Sequence, residues 1–556
     1  MTTDLGKPYT VGQYLVDRLS QLGLEHLFSI AGDYTINWVN GYVQPSTIEI
    51  VEEVNELNAG YAADGYARLK GIGALCVTYS AGALCAVNAI AGAYVEKVPV
   101  VLINGTPDIK KTLTFQQTGF SAHHFISGSE TDLQAFEHLT AAAVRVDNPD
   151  LAPVLIDYAL LQCITERRPV YIELLQDMVD LACERPVGTL KPARVMSDQA
   201  NLQQSVARIA KRLESATSPL IWVGVEVDRF GLHEQASRLI HQLNVPYMTE
   251  LLSKSVLSED DPLFAGVFDG QASTADVKDL AQRSDFVLAL GVWLTDINTL
   301  GWTHDFDRTA FASLDTVKWG TYFSPQIALE HLIDGLLASG IPPKAAGRPQ
   351  RPASKALLAP AGDDELTYQG FYDAIPQYID EHTVLGSDSS LNYFGSLLLK
   401  VPATRGFIAQ SSYSAIGYIA AAATGLSLAK RDDQRVMVFS GDGGFQMTAQ
   451  CLSTQTRFGL NPIIFVINNG VYGVEQWLAD ASVFSTDKPF YKSCVLHPWN
   501  YSKLSEVFGC QGWKVSTYAE LDVAMKDALA NDTGPSIIEV VVAGKSIPSN
   551  AGWKTN

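Results

Sequence analysis

One stretch constrains this chain more than any other: VMVFSGDGGFQMTAQCLSTQTRFGLNPIIFVINNGVYGVE, residues Val436 to Glu475. It reads as strand, glycine turn, helix, strand and polar loop. Val436–Phe439 is a short apolar run ahead of Gly441-Asp442-Gly443-Gly444. Phe445–Phe458 follows a helical period, and Pro462–Ile467 is a second buried-strand run ending at Asn468-Asn469. In a parallel α/β sheet both strand ends emerge at the carboxyl edge, where ligands bind. Asp442 and Asn469 are therefore expected to converge. Gly441, Gly443 and Gly444 let main-chain N–H groups approach an anion at the helix N-terminus. A carboxylate with an amide oxygen is hard-ligand chemistry suited to Mg²⁺, which shares its shell with phosphate oxygens. Either half alone reads as an ordinary turn or strand end. Together, with 24 residues (444–467) between Gly443 and Asn468, they read as a clamp holding a diphosphate through a metal. No GxGxxG follows a strand, so the dinucleotide fingerprint does not apply.

The 556 residues are enough for about three domains of ordinary size. A net charge of −20 argues against nucleic-acid binding by the bulk surface, while leaving room for a local anion site. Seven scattered cysteines without a CxxC suggest reduced thiols and a cytoplasmic location. Cys85 lies in an apolar, small-residue stretch and is expected in the core. The opening MTTDLGKPYT lacks a basic-then-apolar leader. The richest apolar run, Ile416–Ala429, falls short of a membrane span and is interrupted by Gly417, Gly425 and Ser427.

Taken in order, Thr10 and Gln13 have capping-box spacing ahead of a helix. A strand at His26–Ile30 ends in Gly32-Asp33-Tyr34, and one at Ile48–Val51 precedes NELNAGYAADGYARLKG. There Glu56 opens a small-residue helix that stops near Gly71. Glu56 reads either as a solvated first-turn carboxylate favoured by the helix dipole or as a buried acid with a raised pKa. Strands follow at Ala74–Tyr79 and Val98–Asn104, around a helix at Ala81–Tyr94. A long loop from Gly105 to about Ser129 carries His123-His124. Adjacent histidines point in different directions and make poor co-ligands. The middle of the chain repeats strand and helix at Leu220–Val225, Pro246–Thr249, Phe286–Gly291 and Phe311–Leu314, without a cluster of chemical residues. Gly340–Asp364, rich in proline and alanine, is the clearest linker. The expected domains are 1–190, 196–345 and 362–556. In the last, Phe407–Gln410 is a strand and Ala415–Lys430 a helix.

Five motifs in this order, Gly32-Asp33-Tyr34, NELN around Glu56, His123-His124, GDGG and NNGVYGVE, resemble the thiamine-diphosphate-dependent 2-oxo acid decarboxylases. The resemblance spans almost the whole chain. It implies α/β architecture with three doubly wound parallel-sheet domains: aminopyrimidine-binding, middle structural, and diphosphate- and Mg-binding. It implies non-oxidative conversion of a 2-oxo acid (pyruvate, aromatic or branched-chain) to an aldehyde and CO₂ through a thiamine-bound enamine. The implied cofactors are thiamine diphosphate and Mg²⁺, with Asp442, Asn469 and the carbonyl of Val471 as metal ligands. Glu56 is implied to hydrogen-bond the pyrimidine ring, and Asp33, His123, His124 and Glu475 to handle protons. Ile416 is implied to sit beneath the bent cofactor, with Ser414 and Ala415 beside it and Gly441, Gly443 and Gly444 around the diphosphate. The implied partners are a small-molecule 2-oxo acid and a second copy of the chain, with no nucleic acid and no membrane. Active sites form between two subunits in that family, as a homodimer at least and often a homotetramer.

The sequence departs from the family pattern in places. The position aligned with a cofactor-contacting polar residue falls on Leu391, and Ser389 or Ser390 is expected to substitute. Tyr393, Phe394 and Val474 occupy positions that line the substrate pocket in relatives; a bulky Tyr393 argues against indolepyruvate, while a missing C-terminal lid argues the other way, which leaves the substrate open. After Val540–Val542 the tail AGKSIPSNAGWKTN is short for a covering helix. The alternative activity is a thiamine-dependent carboligase making acyloins or 2-hydroxyketones. A third reading is a cofactor-binding assembly protein without catalysis.

Overall fold

A computed structural model describes residues 8–127, 130–300, 307–345, 349 and 362–552. Most of the expected Pro/Ala-rich linker, 346–348 and 350–361, lies outside the described residues. The chain forms two compact units. One comprises 1–193 with 420–431 and 448–461, and the other 194–419, 432–447 and 462–556.

The first unit is built on six parallel strands: β1 (His26–Ser29), β2 (Glu49–Glu52), β3 (Gly73–Thr78), β4 (Val100–Thr106), β5 (Ala143–Val146) and β6 (Val170–Leu175). Their order is β2-β1-β3-β4-β6-β5. The central strands β3, β4 and β6 are buried almost throughout, which is why they read as unbroken apolar runs. Helix Glu56–Lys70 is capped by Asn55, whose side chain accepts the Asn58 N–H, and ends on left-handed Gly71. Its alanine and glycine face meets helix Tyr418–Ala429. A β-carbon on Gly425 would overlap the Ala62 carbonyl, so only glycine allows this backbone approach. The expected capping box at Thr10 is half formed. Thr10 Oγ1 accepts the Gln13 N–H at 3.4 Å, while the Gln13 amide turns to Asp17.

The second unit carries two sheets. One has seven strands: β7 (Pro219–Val223), β8 (Tyr247–Thr249), β9 (Phe264–Val267), β10 (Phe286–Leu290), β11 (Thr309–Ala312), β12 (Thr316–Trp319) and β13 (Tyr322–Pro325). Five are parallel, and β12 and β13 add an antiparallel edge. The sequence reading missed β9, β12 and β13, which are short and only partly buried. The other sheet has six parallel strands: β14 (Thr383–Ser387), β15 (Phe407–Ala409), β16 (Arg435–Gly441), β17 (Ile463–Asn468), β18 (Gln511–Val515) and β19 (Ser536–Val541). Its order, β15-β14-β16-β17-β19-β18, repeats strand for strand that of the first unit. Lys254 and Glu259, both buried, fasten the two sheets of this unit. Lys254 donates to the Leu399 carbonyl, and Glu259 accepts the Val401 N–H at 2.7 Å. No helix among the described residues is long and apolar enough to cross a membrane, and no disulfide forms among them.

Candidate active site

In the six-stranded sheet of the second unit, the chain leaves β14 to one side and β16 to the other. That reversal opens a crevice at the carboxyl edge. The cleft there is lined by Ser389, Ser390 and Leu391 after β14, by Gly441–Gly444 at the end of β16, by Asn469 and Val471–Glu475 after β17, and by Ile416. Asp442 is the first residue of a short helix, Asp442–Thr448. A break at Ala449–Gln450 separates it from helix Cys451–Arg457, where the sequence had suggested one helix.

Asp442 is 3 % exposed. Its carboxylate accepts the Gly443 N–H at 2.9 Å and the Gly470 N–H at 2.7 Å. Burial pushes its pKa up to about 6, and everything that opposes the shift is a main-chain N–H, not a cation. Gly470 adopts φ +71 and turns the chain so that Asn469 Oδ1 accepts the Val471 N–H at 3.4 Å. The 470–472 loop is pinned by main-chain bonds to Cys494 and Leu496. A buried acid without a counter-cation among the described residues, beside an amide oxygen, fits a hard divalent metal.

Two of the glycines also answer to packing. A β-carbon on Gly443 would strike the Tyr472 ring, and one on Gly444 would strike Asp388. The sequence reading missed Asp388. It is 1 % exposed and accepts the Gly417 N–H at 2.9 Å and the Ser440 hydroxyl at 3.0 Å. Burial lifts its pKa to about 6. Its one available signal was its place after a strand end. Asp388 thereby ties the turns after β14 and β16 to the Ser414–Gly417 segment. That segment is not helical, contrary to the helix expected from Ala415. Ser414 has φ +59 and Gly417 φ +84, and the helix starts at Tyr418. The bend leaves Ile416 37 % exposed on the cleft wall.

Ser389, Ser390, Ile416, Gly441, Asp442, Gly443, Gly444, Asn469, Val471, Val474 and Glu475 thus share one cleft. Ser414 and Ala415 lie outside its lining, on the loop leading to Ile416. Tyr393 and Phe394 are off it too. Both are buried. The Tyr393 hydroxyl donates to the Gln410 carbonyl at 2.9 Å, and the Phe394 carbonyl accepts from Asn550. Leu391 lines the cleft and packs where Gly473 leaves room.

The other expected residues lie in the first unit. An Asp33 carboxylate oxygen stands 2.7 Å from His123 Nε2. The imidazoles of His123 and His124 pack edge to face, with centroids 4.8 Å apart, instead of diverging. The reason is His124 at φ +69, which folds the chain back. The expected long loop contains a helix, Ile109–Thr118, capped by Asp108 and ended by left-handed Gly119. Glu56 is half-buried in the first turn of its helix, and Gly82 lies against its carboxylate. Cys85 is exposed, not in the core. Partial shielding of its sulfur from water and the neighbouring Glu56 carboxylate raise the thiol pKa, so it is no activated nucleophile.

The family models for thiamine pyrophosphate enzymes match in three parts: the N-terminal TPP-binding domain at 9–127, the central domain at 206–329 and the C-terminal TPP-binding domain at 390–540. This defines the class as a thiamine-diphosphate-dependent enzyme. Among curated relatives, a pyruvate decarboxylase of Aspergillus parasiticus is 32 % identical, covering 98 % of this chain and 96 % of its own. An alpha-keto-acid decarboxylase of Mycobacterium tuberculosis is 31 % identical, covering 98 % and 96 %. A probable pyruvate decarboxylase of Schizosaccharomyces pombe is 29 % identical, covering 98 % and 95 %. The chain belongs to the thiamine-diphosphate-dependent 2-oxo acid decarboxylase family.

Proposed function

We propose that this protein converts a 2-oxo acid to an aldehyde and CO₂ on thiamine diphosphate tethered through Mg²⁺. The observation that carries the reading is the buried Asp442 carboxylate beside Asn469, an oxygen set that a divalent cation would complete. Asp442, Asn469 and the Val471 carbonyl would hold the metal, and Gly441, Gly443 and Gly444 would lie around the diphosphate. When bound, the cofactor supplies the electron sink for the carbon that loses CO₂.

The chain's own residues bind, orient and move protons. Glu56 would hydrogen-bond the pyrimidine ring of the cofactor. Ile416 would offer the cofactor an apolar surface, with Ser414 and Ala415 beside it as further cofactor contacts. Asp33, His123, His124 and Glu475 exchange protons with substrate and product. Asp33 and His123, at 2.7 Å, are in direct hydrogen-bond contact. Val474 borders the substrate, with Tyr393 and Phe394 as a supporting layer. Glu56 and the His pair of one copy work with Asp442 and Glu475 of another, so the active form is a homodimer at least and a homotetramer by family resemblance. Its reduced cysteines suit the cytoplasm.

The test is Glu56→Gln. It abolishes hydrogen exchange at the thiazolium C–H while diphosphate binding is retained. Equal exchange in variant and parent contradicts the role given to Glu56.

A further inference from the structure

Asp33, His123 and His124 also meet the geometric demands of a different kind of site. One carboxylate oxygen and one nitrogen from each imidazole lie within 4.8 Å of one another. A tetrahedral ion with bonds of about 2.0–2.1 Å spaces its ligands roughly 3.3 Å apart, so the three atoms stand at most about 1.5 Å wider than such an ion needs. The support beneath is fixed at the backbone. The Tyr79 hydroxyl donates to the His123 carbonyl, and its ring stands edge-on to His124 at 5.8 Å. Ser80, next in the chain, is held at φ +53 by Asp132, which is 4 % exposed and accepts both the Ser80 N–H and, at 2.9 Å, its hydroxyl. His124 itself sits at φ +69. The two histidines are thus presented by an anchored turn.

Donor chemistry separates this cluster from the cleft at Asp442. Asp442, Asn469 and Val471 offer only oxygen, which suits Mg²⁺. Two imidazoles and a carboxylate favour borderline ions such as zinc, cobalt or copper. We infer that Asp33, His123 and His124 form a second cation site, one that takes a zinc-class divalent ion. Three protein ligands leave the fourth position for water or an oxygen donor. The inference rests on the geometry of the three side chains and not on their part in turnover. Where the proposed function holds, a filled site withdraws both imidazoles from proton transfer.

The experiment uses the full chain saturated with Mg²⁺ and thiamine diphosphate, titrated with cobalt(II). Visible d–d absorption reports tetrahedral nitrogen and oxygen ligation, and calorimetry gives the affinity. One tetrahedral cobalt ion per chain is expected. Its Kd rises more than about tenfold in Asp33→Asn and in His124→Gln, since even losing a ligand's supporting partner costs that much. All three side chains are exposed, so these variants fold, and thermal melts check it. Cobalt bound equally tightly by His124→Gln and parent overturns the inference. So does the absence of a tetrahedral band, or a loss of cobalt binding in Asp442→Asn alone. Because binding is the readout, the result stands whether or not a 2-oxo acid is turned over.

Discussion

The Asp388 carboxylate fills the space that a β-carbon on Gly444 would need, and its Oδ2 accepts the Gly417 N–H at 2.9 Å. One buried acid therefore fixes three turns around the cleft, and the last glycine of GDGG exists in part to admit it. Gly444→Ala should push Asp388 off its partners. Overpacking of this kind costs about 1–3 kcal/mol. Thermal melting should show that loss, with weaker Mg²⁺-dependent binding of thiamine diphosphate. A variant with unchanged melting and cofactor affinity would show that the turns tolerate the shift.

Asp442 gives two opposite signs. Its pKa is raised from 3.8 to about 6, so without cofactor the folded state keeps a proton that the unfolded chain has lost. Stability then falls as pH rises from about 4 to about 6, by roughly 3 kcal/mol at 1.36 kcal/mol per pKa unit. Asp442→Asn removes that fall and makes the cofactor-free protein more stable at pH 7, while Mg²⁺ binding is lost. In the parent, protons compete with Mg²⁺ from about pH 6 downward, so cofactor release begins there. Chemical denaturation across pH and calorimetric Mg²⁺ titration measure the two effects separately.

Glu53 behaves similarly in the first unit. It is 8 % exposed, one oxygen accepts the Thr454 hydroxyl at 2.8 Å, and burial lifts its pKa from 4.5 to about 7. The parent should lose stability as pH rises from about 4.5 to about 7, by roughly 3 kcal/mol. Glu53→Gln keeps an acceptor for Thr454 and removes the charge, so it should gain on the parent as pH rises. Urea midpoints at pH 5 and pH 8 decide this, and a constant difference would refute it.

Ser80 and Asp132 are coupled. Asp132→Ala leaves a buried N–H unsatisfied on a residue held at φ +53, at a cost of about 1–3 kcal/mol. Adding Ser80→Gly relieves the conformational strain, because glycine accepts that region freely. The double variant should therefore lose less than the two single effects predict. Strict additivity would mean that Asp132 does not hold the turn.

Glu56→Gln and Asp442→Asn should each be inactive alone. If sites form between copies, mixing and reassembling equal amounts yields one intact site in half of the dimers, about a quarter of parent activity. If each site lies within one chain, mixing recovers nothing.

Much of this was readable in the residues because parallel βα units leave strong marks. Apolar runs ending at Gly441-Asp442 and at Asn468-Asn469 located both strand ends of the cleft to within a residue or two. What was not readable depends on tertiary neighbours. Asp388, beside Ser389 and Ser390, drew no reading, since nothing local shows that Gly444 makes room for it. His123 and His124 were expected to diverge because the positive φ of His124 has no strong local signal. Cys85 looked like core because its helix is apolar on nearly every face. The helix at Ile109–Thr118 was legible in principle, from Asp108 at its start and Gly119 at its end, but its polar composition hid it. Tyr393 was assigned to the pocket by alignment alone, and only the fold reveals that its hydroxyl is committed to Gln410.

The most direct measurement is product analysis with carbon-labelled pyruvate, phenylpyruvate and 2-oxoisovalerate, in the presence and absence of Mg²⁺ and thiamine diphosphate. The account predicts labelled CO₂ and free aldehyde from at least one acid, dependent on both cofactors. Label found only in condensed hydroxyketones, or turnover that ignores the removal of thiamine diphosphate, would contradict it.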